Sequence, residues 1–207
     1  MQRIVLLPWL LVGVLAGCGA DDESTSGGAA AADVQSDTSV TDVAGEPTWT
    51  VTLSGATTGP RVAMAVDGPD DAGTFTLRVT LRDIPDLFGI ATHLRYDPTQ
   101  VELVDAKEHA VLAGDGWAPR VLLKPVPERV LLGAARIREG GSPYSPLEGA
   151  KVGNQLWATL QFRLLDAATS ATIDFDPARS IARSAGYEVL TLDWASVQLQ
   201  RGAAGGR

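Results

Sequence analysis

Cysteine occurs once in the 207 residues, as Cys18, and histidine twice, as His93 and His109. A single cysteine excludes an internal disulfide and any zinc site built on several thiolates. Two histidines cannot supply a His-rich metal cluster, and no metal ligand set or cofactor site is assigned. Basic residues are also few: 17 Lys and Arg stand against 25 Asp and Glu, for a net charge of -8. That balance argues against nucleic acid as a partner, because phosphate binding needs a basic face. It argues equally against electrostatic docking to anionic lipid. No Gly-x-Ser-x-Gly nucleophile elbow occurs. Acid pairs such as Asp70/Asp71 and Asp174/Asp176 exist, yet glycoside hydrolysis needs two carboxyls facing each other across a cleft. No enzyme activity is therefore expected. What remains is ordinary globular usage, 45% hydrophobic and 20% charged, in a chain long enough for one domain with appendages.

The first eighteen residues read as an address. Arg3 precedes an apolar run from Ile4 to Leu15, well short of the roughly 20 residues that span a bilayer. The run ends in Leu15-Ala16-Gly17-Cys18. Small residues before a lone cysteine resemble a bacterial lipobox, which implies removal of residues 1–17, a diacylglyceryl thioether on Cys18 and acylation of the new amine. Two or three acyl chains hold a protein stably on a membrane where one does not. The mature protein is thus expected to be exported and tethered through lipid alone, on the outer membrane or cell surface. Residues 18–45 are mostly Gly, Ala, Ser, Thr and Asp, with Val34, Val40 and Val43 as the larger apolar side chains. Such a stretch buries too little surface to offset the entropy of ordering, and reads as a flexible acidic linker. Its reach as a coil is roughly 29 Å. Residues 201–207, Gly- and Ala-rich, read as a disordered tail.

Residues 46–200 carry a two-residue period and no convincing helical one. Phe75, Leu77, Val79 and Leu81 alternate with Thr and Arg. Ile90, Thr92, Leu94 and Tyr96 alternate with Ala91, His93 and Arg95. Leu156, Ala158, Leu160, Phe162 and Leu164 alternate with Trp157, Thr159, Gln161 and Arg163. Each is a strand with one buried face. Further apolar runs lie at 49–53, 61–66, 101–105, 120–124, 129–137, 171–175 and 187–199, punctuated by turns such as Asp97-Pro98 and Asp176-Pro177. Many short strands at close spacing imply two packed antiparallel sheets. The segment Val104–Gly114 could hold a helical turn. Asp67, Asp70 and Asp71 read as an acidic turn in preference to a calcium loop.

Three blocks carry a family resemblance. Phe75–Ile90 leads into Leu94–Val104, which contains Tyr96-Asp97-Pro98; Leu156–Leu164 follows a "Leu-Ala-Thr-Ile-x-Phe-Lys-Val" pattern; and Ile173-Asp-Phe with Gly186-Tyr-Glu-Val fits closing strands. In order and spacing these are similar to cohesin modules. The resemblance implies an all-β jelly-roll sandwich of about nine strands that binds a dockerin, a small calcium-loaded helical module, through one sheet face. By that resemblance the partner-binding positions are Ala91, His93 and Arg95. Gly89 and Ala91 stand where cellulosomal relatives often carry amide and acidic groups, so Arg95 and His93 suit an acidic or polar partner.

Two rival readings stay open. A carbohydrate-binding module would stack sugar rings on exposed aromatics, for which Trp117 in a Gly-rich loop, Tyr144 and Trp157 are the candidates, with the Gly- and Pro-rich loop 138–150 as a binding edge. A structural envelope lipoprotein would bind neither protein nor polysaccharide. The lipid assignment is directly testable: Cys18→Ser should leave an uncleaved precursor without acyl mass, seen by intact mass spectrometry and by loss of detergent-phase partitioning.

Overall fold

The computed structural model describes residues 48–114, 116–138 and 147–202. The expected signal sequence, Cys18, the expected linker, Tyr144 and nearly all of the expected tail lie outside them. Twelve strands form two sheets, and no α-helix occurs among the described residues. The expected two-sheet sandwich is present, with more strands than about nine because the chain after residue 180 forms the short strands Ile181–Arg183 and Asp193–Trp194 beside a longer last one.

In chain order the strands are β1 (Trp49–Ser54), β2 (Arg61–Asp67), β3 (Thr74–Leu87), β4 (Gly89–Tyr96), β5 (Val101–Glu108) and β6 (Trp117–Val126). They continue with β7 (Arg129–Arg138), β8 (Ala150–Leu164), β9 (Ser170–Phe175), β10 (Ile181–Arg183), β11 (Asp193–Trp194) and β12 (Ser196–Arg201). One sheet has the order β1-β12-β9-β4-β7-β6, with β10 also pairing β4. The other has the order β11-β2-β3-β8-β5. All pairings are antiparallel except β11 with β2.

The alternation seen in sequence fixes what each strand buries. Phe75, Leu77, Val79 and Leu81 of β3 are fully enclosed, as are Leu160 and Phe162 of β8 and Leu94 and Ile173 from the opposite sheet. Phe75 and Phe162 stack within one sheet at 5.6 Å. Tyr96 meets Phe162 edge-on across the sandwich at 5.3 Å. Burial raises the Tyr96 phenol above its ordinary range, with Glu128 adding to the effect.

Two expectations fail, each for a local reason. Val104–Gly114 holds no helical turn: β5 runs through to Glu108, and the segment after it is irregular. Trp157 does not share the outward face of Thr159, Gln161 and Arg163; it is completely buried. Val79 pairs with Ala158 and Thr80 with Leu156, so Trp157 is the extra residue of a β-bulge. A bulge leaves one residue unpaired and shifts the parity of everything beyond it. Parity counted from Leu164 therefore misplaces both Trp157 and Leu156, which pairs with outward Thr80 and is only part-buried.

Trp157→Ala should cost about 3–5 kcal/mol of stability in urea titration. Thr172→Ala, on the exposed side of β9, should stay within about 0.5 kcal/mol.

Candidate functional site

An antiparallel strand with one wet face should alternate, and β3 does so cleanly. β6 and β7 do not. Val121-Leu122-Leu123 and Val130-Leu131-Leu132-Gly133-Ala134-Ala135 are apolar on both parities. Val130, Leu132 and Ala134 take the core side. Their neighbours must then face out, and strand register shows what they meet there.

Four strands contribute one apolar row: Ile181 of β10 pairs with Ala91 of β4, Ala91 with Gly133 of β7, and Gly133 with Leu122 of β6. At about 4.8 Å per strand the row is roughly 14 Å long. Leu122 is 52% exposed and Ile181 38%. Toward the start of β4 the next row reads Arg183, Gly89, Ala135, Arg120, flanked by exposed Val189, which bridges Arg183. Exposed Ile137 of β7 continues the apolar surface at that end. Toward the other end His93 pairs with Leu131, and Leu131 with Lys124. Asp174, Arg95 and Arg129 close the strip. It is an apolar band on the outside of the sheet with cationic ends, of the kind that marks interaction sites.

The partner-binding positions named from sequence, Ala91, His93 and Arg95, all lie on this face of β4. Ala91 is exposed at its centre. Arg95 is exposed and forked onto Asp174, with Nε–Oδ1 at 3.2 Å and Nη2–Oδ2 at 2.7 Å. His93 is half-buried beside the β9 end, where its carbonyl accepts from Asp176 N at 2.8 Å. Burial depresses the His93 imidazole pKa, Arg179 and Arg129 depress it further, and Asp176 opposes them. The sequence reading did not single out Leu122, Leu131, Ile137 or Ile181. Its available signal was the loss of alternation in the runs 120–124 and 129–137.

Tyr187 borders this face where β4 begins. It is 64% exposed and sits at φ +64°, a conformation uncommon for a residue with a bulky side chain. A small hydrogen-bonded loop holds it: Tyr187 N donates to Ser184 O at 3.0 Å, and Arg183 Nη1 donates to Tyr187 O at 2.8 Å.

The other named residues take structural roles. Trp117 is not in a Gly-rich loop; it begins β6, is 7% exposed, and lies edge-on to Phe88 at 6.0 Å. The Arg136 and Arg138 guanidiniums cover its ring at 5.1 and 5.7 Å. With Trp157 buried as well, neither tryptophan offers a flat ring to a sugar. Asp97 turns the chain as expected: its Oδ1 accepts from Thr99 Oγ1 at 2.7 Å and Thr99 N at 2.8 Å. Those two bonds hold the carboxyl below its ordinary value. Asp70 Oδ1 accepts from Ala72 N and Thr74 N, and Asp67 pairs with Arg78. These aspartates are engaged in turn and cross-strand contacts. Asp176 caps the 3-10 turn Pro177–Arg179 through Ala178 N. No group of three metal-ligating side chains occurs among the described residues. Two open grooves between β5 and β6, of about 350 and 400 Å³, are each lined by a single carboxylate, Glu108 or Asp105.

The opposite sheet differs in kind. Its outward side chains include Thr74, Thr76, Arg78 and Thr80 on β3 and Thr159, Gln161 and Arg163 on β8. Arg78 pairs with Asp67 and Arg163 with Glu102 across strands. That surface is polar, with two of its arginines ion-paired across strands.

No family model and no curated protein matches the chain. Among solved structures, it is similar to a cohesin module from a Clostridium perfringens family 33 glycoside hydrolase, at 12% identity and TM-score 0.47, covering 70% of this chain and 97% of that one. It is also similar to a type II cohesin domain from the cellulosome of Acetivibrio cellulolyticus, at 12% identity and TM-score 0.48, covering 68% and 95%. A type II cohesin–X-dockerin complex from the same organism gives 13% identity and TM-score 0.49, covering 64% and 94%. These likenesses concern strand arrangement.

His93 gives the fold a pH dependence. Its folded-state value lies below the ordinary 6.5, so between the two values the unfolded chain binds more protons. The stability it contributes is present above about 6.5 and lost as pH falls through the lowered value. Urea midpoints should decline across that window, and His93→Gln should flatten the decline.

Proposed function

We propose that this chain is an exported, lipid-anchored, non-catalytic module that docks a protein partner on the outer face of β10, β4, β7 and β6. The observation that carries this reading is the row Ile181, Ala91, Gly133, Leu122, apolar on the outside of a sheet whose inside is already packed. Single exposed apolar side chains are ordinary on a protein surface, but a contiguous row across four strands is the kind of patch that marks an interaction site. Covering it supplies the association energy, and the charged ends supply register.

Protein is favoured over polysaccharide because Trp117 and Trp157 are both enclosed. A dockerin-type module is the partner suggested by the cohesin-like sequence blocks. Anchoring through Cys18 would place the docking face at a membrane surface on a linker of roughly 29 Å reach, where it could gather an exported partner. The docking energy comes from burying Leu122, Ile181 and their neighbours. Arg95, locked against Asp174, presents a fixed fork and not a mobile charge.

The test is titration calorimetry of the full chain against calcium-loaded dockerin modules and partners captured from the secreted fraction, with retention on cellulose, xylan and chitin as the opposing arm. Leu122→Glu should weaken protein binding by at least about 30-fold, the loss expected of a hot-spot residue, without moving the thermal midpoint by more than about 2 °C. Thr76→Glu, on the opposite sheet, should leave affinity unchanged. Undiminished binding by Leu122→Glu, or saturable retention on a polysaccharide, would sink the reading.

A further inference from the structure

Resting on that docking reading, we infer that the partner presents an apolar ridge bordered by carboxylates. The chain carries a net charge of -8, yet the apolar band is edged by cations. Arg183 and Arg120 stand at the two ends of the row beside it, and Lys124, Arg95 and Arg129 lie on the other side. On the opposite sheet, Arg78 and Arg163 are neutralised by acids on neighbouring strands. On this face Arg95 is paired with Asp174 and Arg179 approaches Asp176 at 3.9 Å. No acidic side chain forms an ion pair with Arg120, Lys124, Arg129 or Arg183 among the described residues.

Unpaired cations occur on the opposite sheet too, at Arg82, Lys107 and Lys151, but among the described residues four border the apolar row on this face. Folding does not require that arrangement, since like charges facing one side repel. A partner with carboxylates at the matching positions relieves it and gains charge-assisted hydrogen bonds, bidentate where arginine is the donor. Two other occupants fit less well. A second copy related by a two-fold axis would bring cationic rims together, which costs affinity. A membrane surface would favour apolar side chains that project beyond the sheet. Here the middle of the band is Gly89, Ala91, Gly133 and Ala135, with Leu122 lying against Gly133.

The shape of the band follows from the same residues. A Cβ on Gly133 would meet Leu122 Cβ at 3.5 Å, and one on Gly89 would meet Ala135 Cβ at 3.8 Å, both ordinary contacts. Neither glycine has a positive φ. The fold therefore has room for side chains there, and glycine weakens a strand interior. Leu122 already covers Gly133, which is buried, so the open approach to backbone is at Gly89 and Ala91 of β4, and a ridge seated there brings its flanking carboxylates down to the arginines.

The test is an unbiased selection. A displayed library of a small folded scaffold, with a fixed apolar strip and randomised flanking positions, is selected against the full chain. Enriched clones should carry Asp or Glu at the flanks. Their association rate should fall at least about tenfold in the Arg120→Glu/Arg129→Glu variant and on raising salt from about 50 to about 500 mM. Neutral or basic flanks, in clones whose binding Leu122→Glu still abolishes, would overturn the acidic partner while leaving the docking face standing. Clones indifferent to Leu122→Glu would instead remove the docking reading itself. Two further outcomes overturn the inference. One is sedimentation with phosphatidylglycerol vesicles that the double charge reversal abolishes. The other is a dimer in analytical ultracentrifugation that Leu122→Glu dissolves.

Discussion

Phe162 is the residue on which the two sheets close. It is fully buried, stacked on Phe75 of its own sheet, and struck edge-on by Tyr96 of the other. Aromatic pairs at these separations add to the area that they remove from water. Around them the inward side chains of β3, β8, β4, β7 and β9 complete one continuous core. That closure has a consequence for the outside. Once Val130, Leu132 and Ala134 have gone inward, β7 has no inward position left for Leu131, Gly133 and Ala135. The outer apolar band is the remainder of strands carrying more hydrophobic residues than one core can take.

The two outer faces have opposite characters because their strands have different patterns. β3 alternates strictly from Thr74 to Arg82, so its outward set there is threonine and arginine, solvated and partly ion-paired. β6 and β7 do not alternate, so their outward set is leucine, glycine, alanine and isoleucine between cations. Burial of Trp117 under Arg136 and Arg138 shows where aromatic surface was spent: on fastening the start of β6. Arg136 itself is 5% exposed and donates to the carbonyls of Glu148 and Gly114, joining β7 to the segments on either side. The aromatic residues of this sandwich mostly hold it together; the exception among the described residues is Tyr187, exposed at the margin of the apolar face.

Much of the fold was legible in the residues. The alternation of Phe75 to Leu81, of Ile90 to Tyr96 and of Ala158 to Leu164 each placed the correct side chains in the core, because antiparallel strands with one wet face obey a period of two. Asp97 and Asp176 were recognisable as turn residues because aspartate bonds the backbone amide two residues on. Ala91, His93 and Arg95 were assigned to one outward face, and that is where they lie. Trp157 was misread because a single inserted residue reverses parity, and nothing in the local composition announces a bulge. Trp117 was misread because a glycine beside an aromatic suggests a loop, whereas Gly116 only leads into β6.

The sequence alone determined the class of structure, the solvated face of β3, the turn at Asp97 and the exclusion of an internal disulfide. These are properties of neighbouring residues, and short-range spacing records them. Only the tertiary structure decided that Ile181, Ala91, Gly133 and Leu122 form one row, that the open arginines surround it, and that Trp157 is sealed inside. Those depend on which strands become neighbours and in what register. Ala91 and Ile181 lie far apart in the chain and side by side in the sheet, and no local pattern encodes such a pairing.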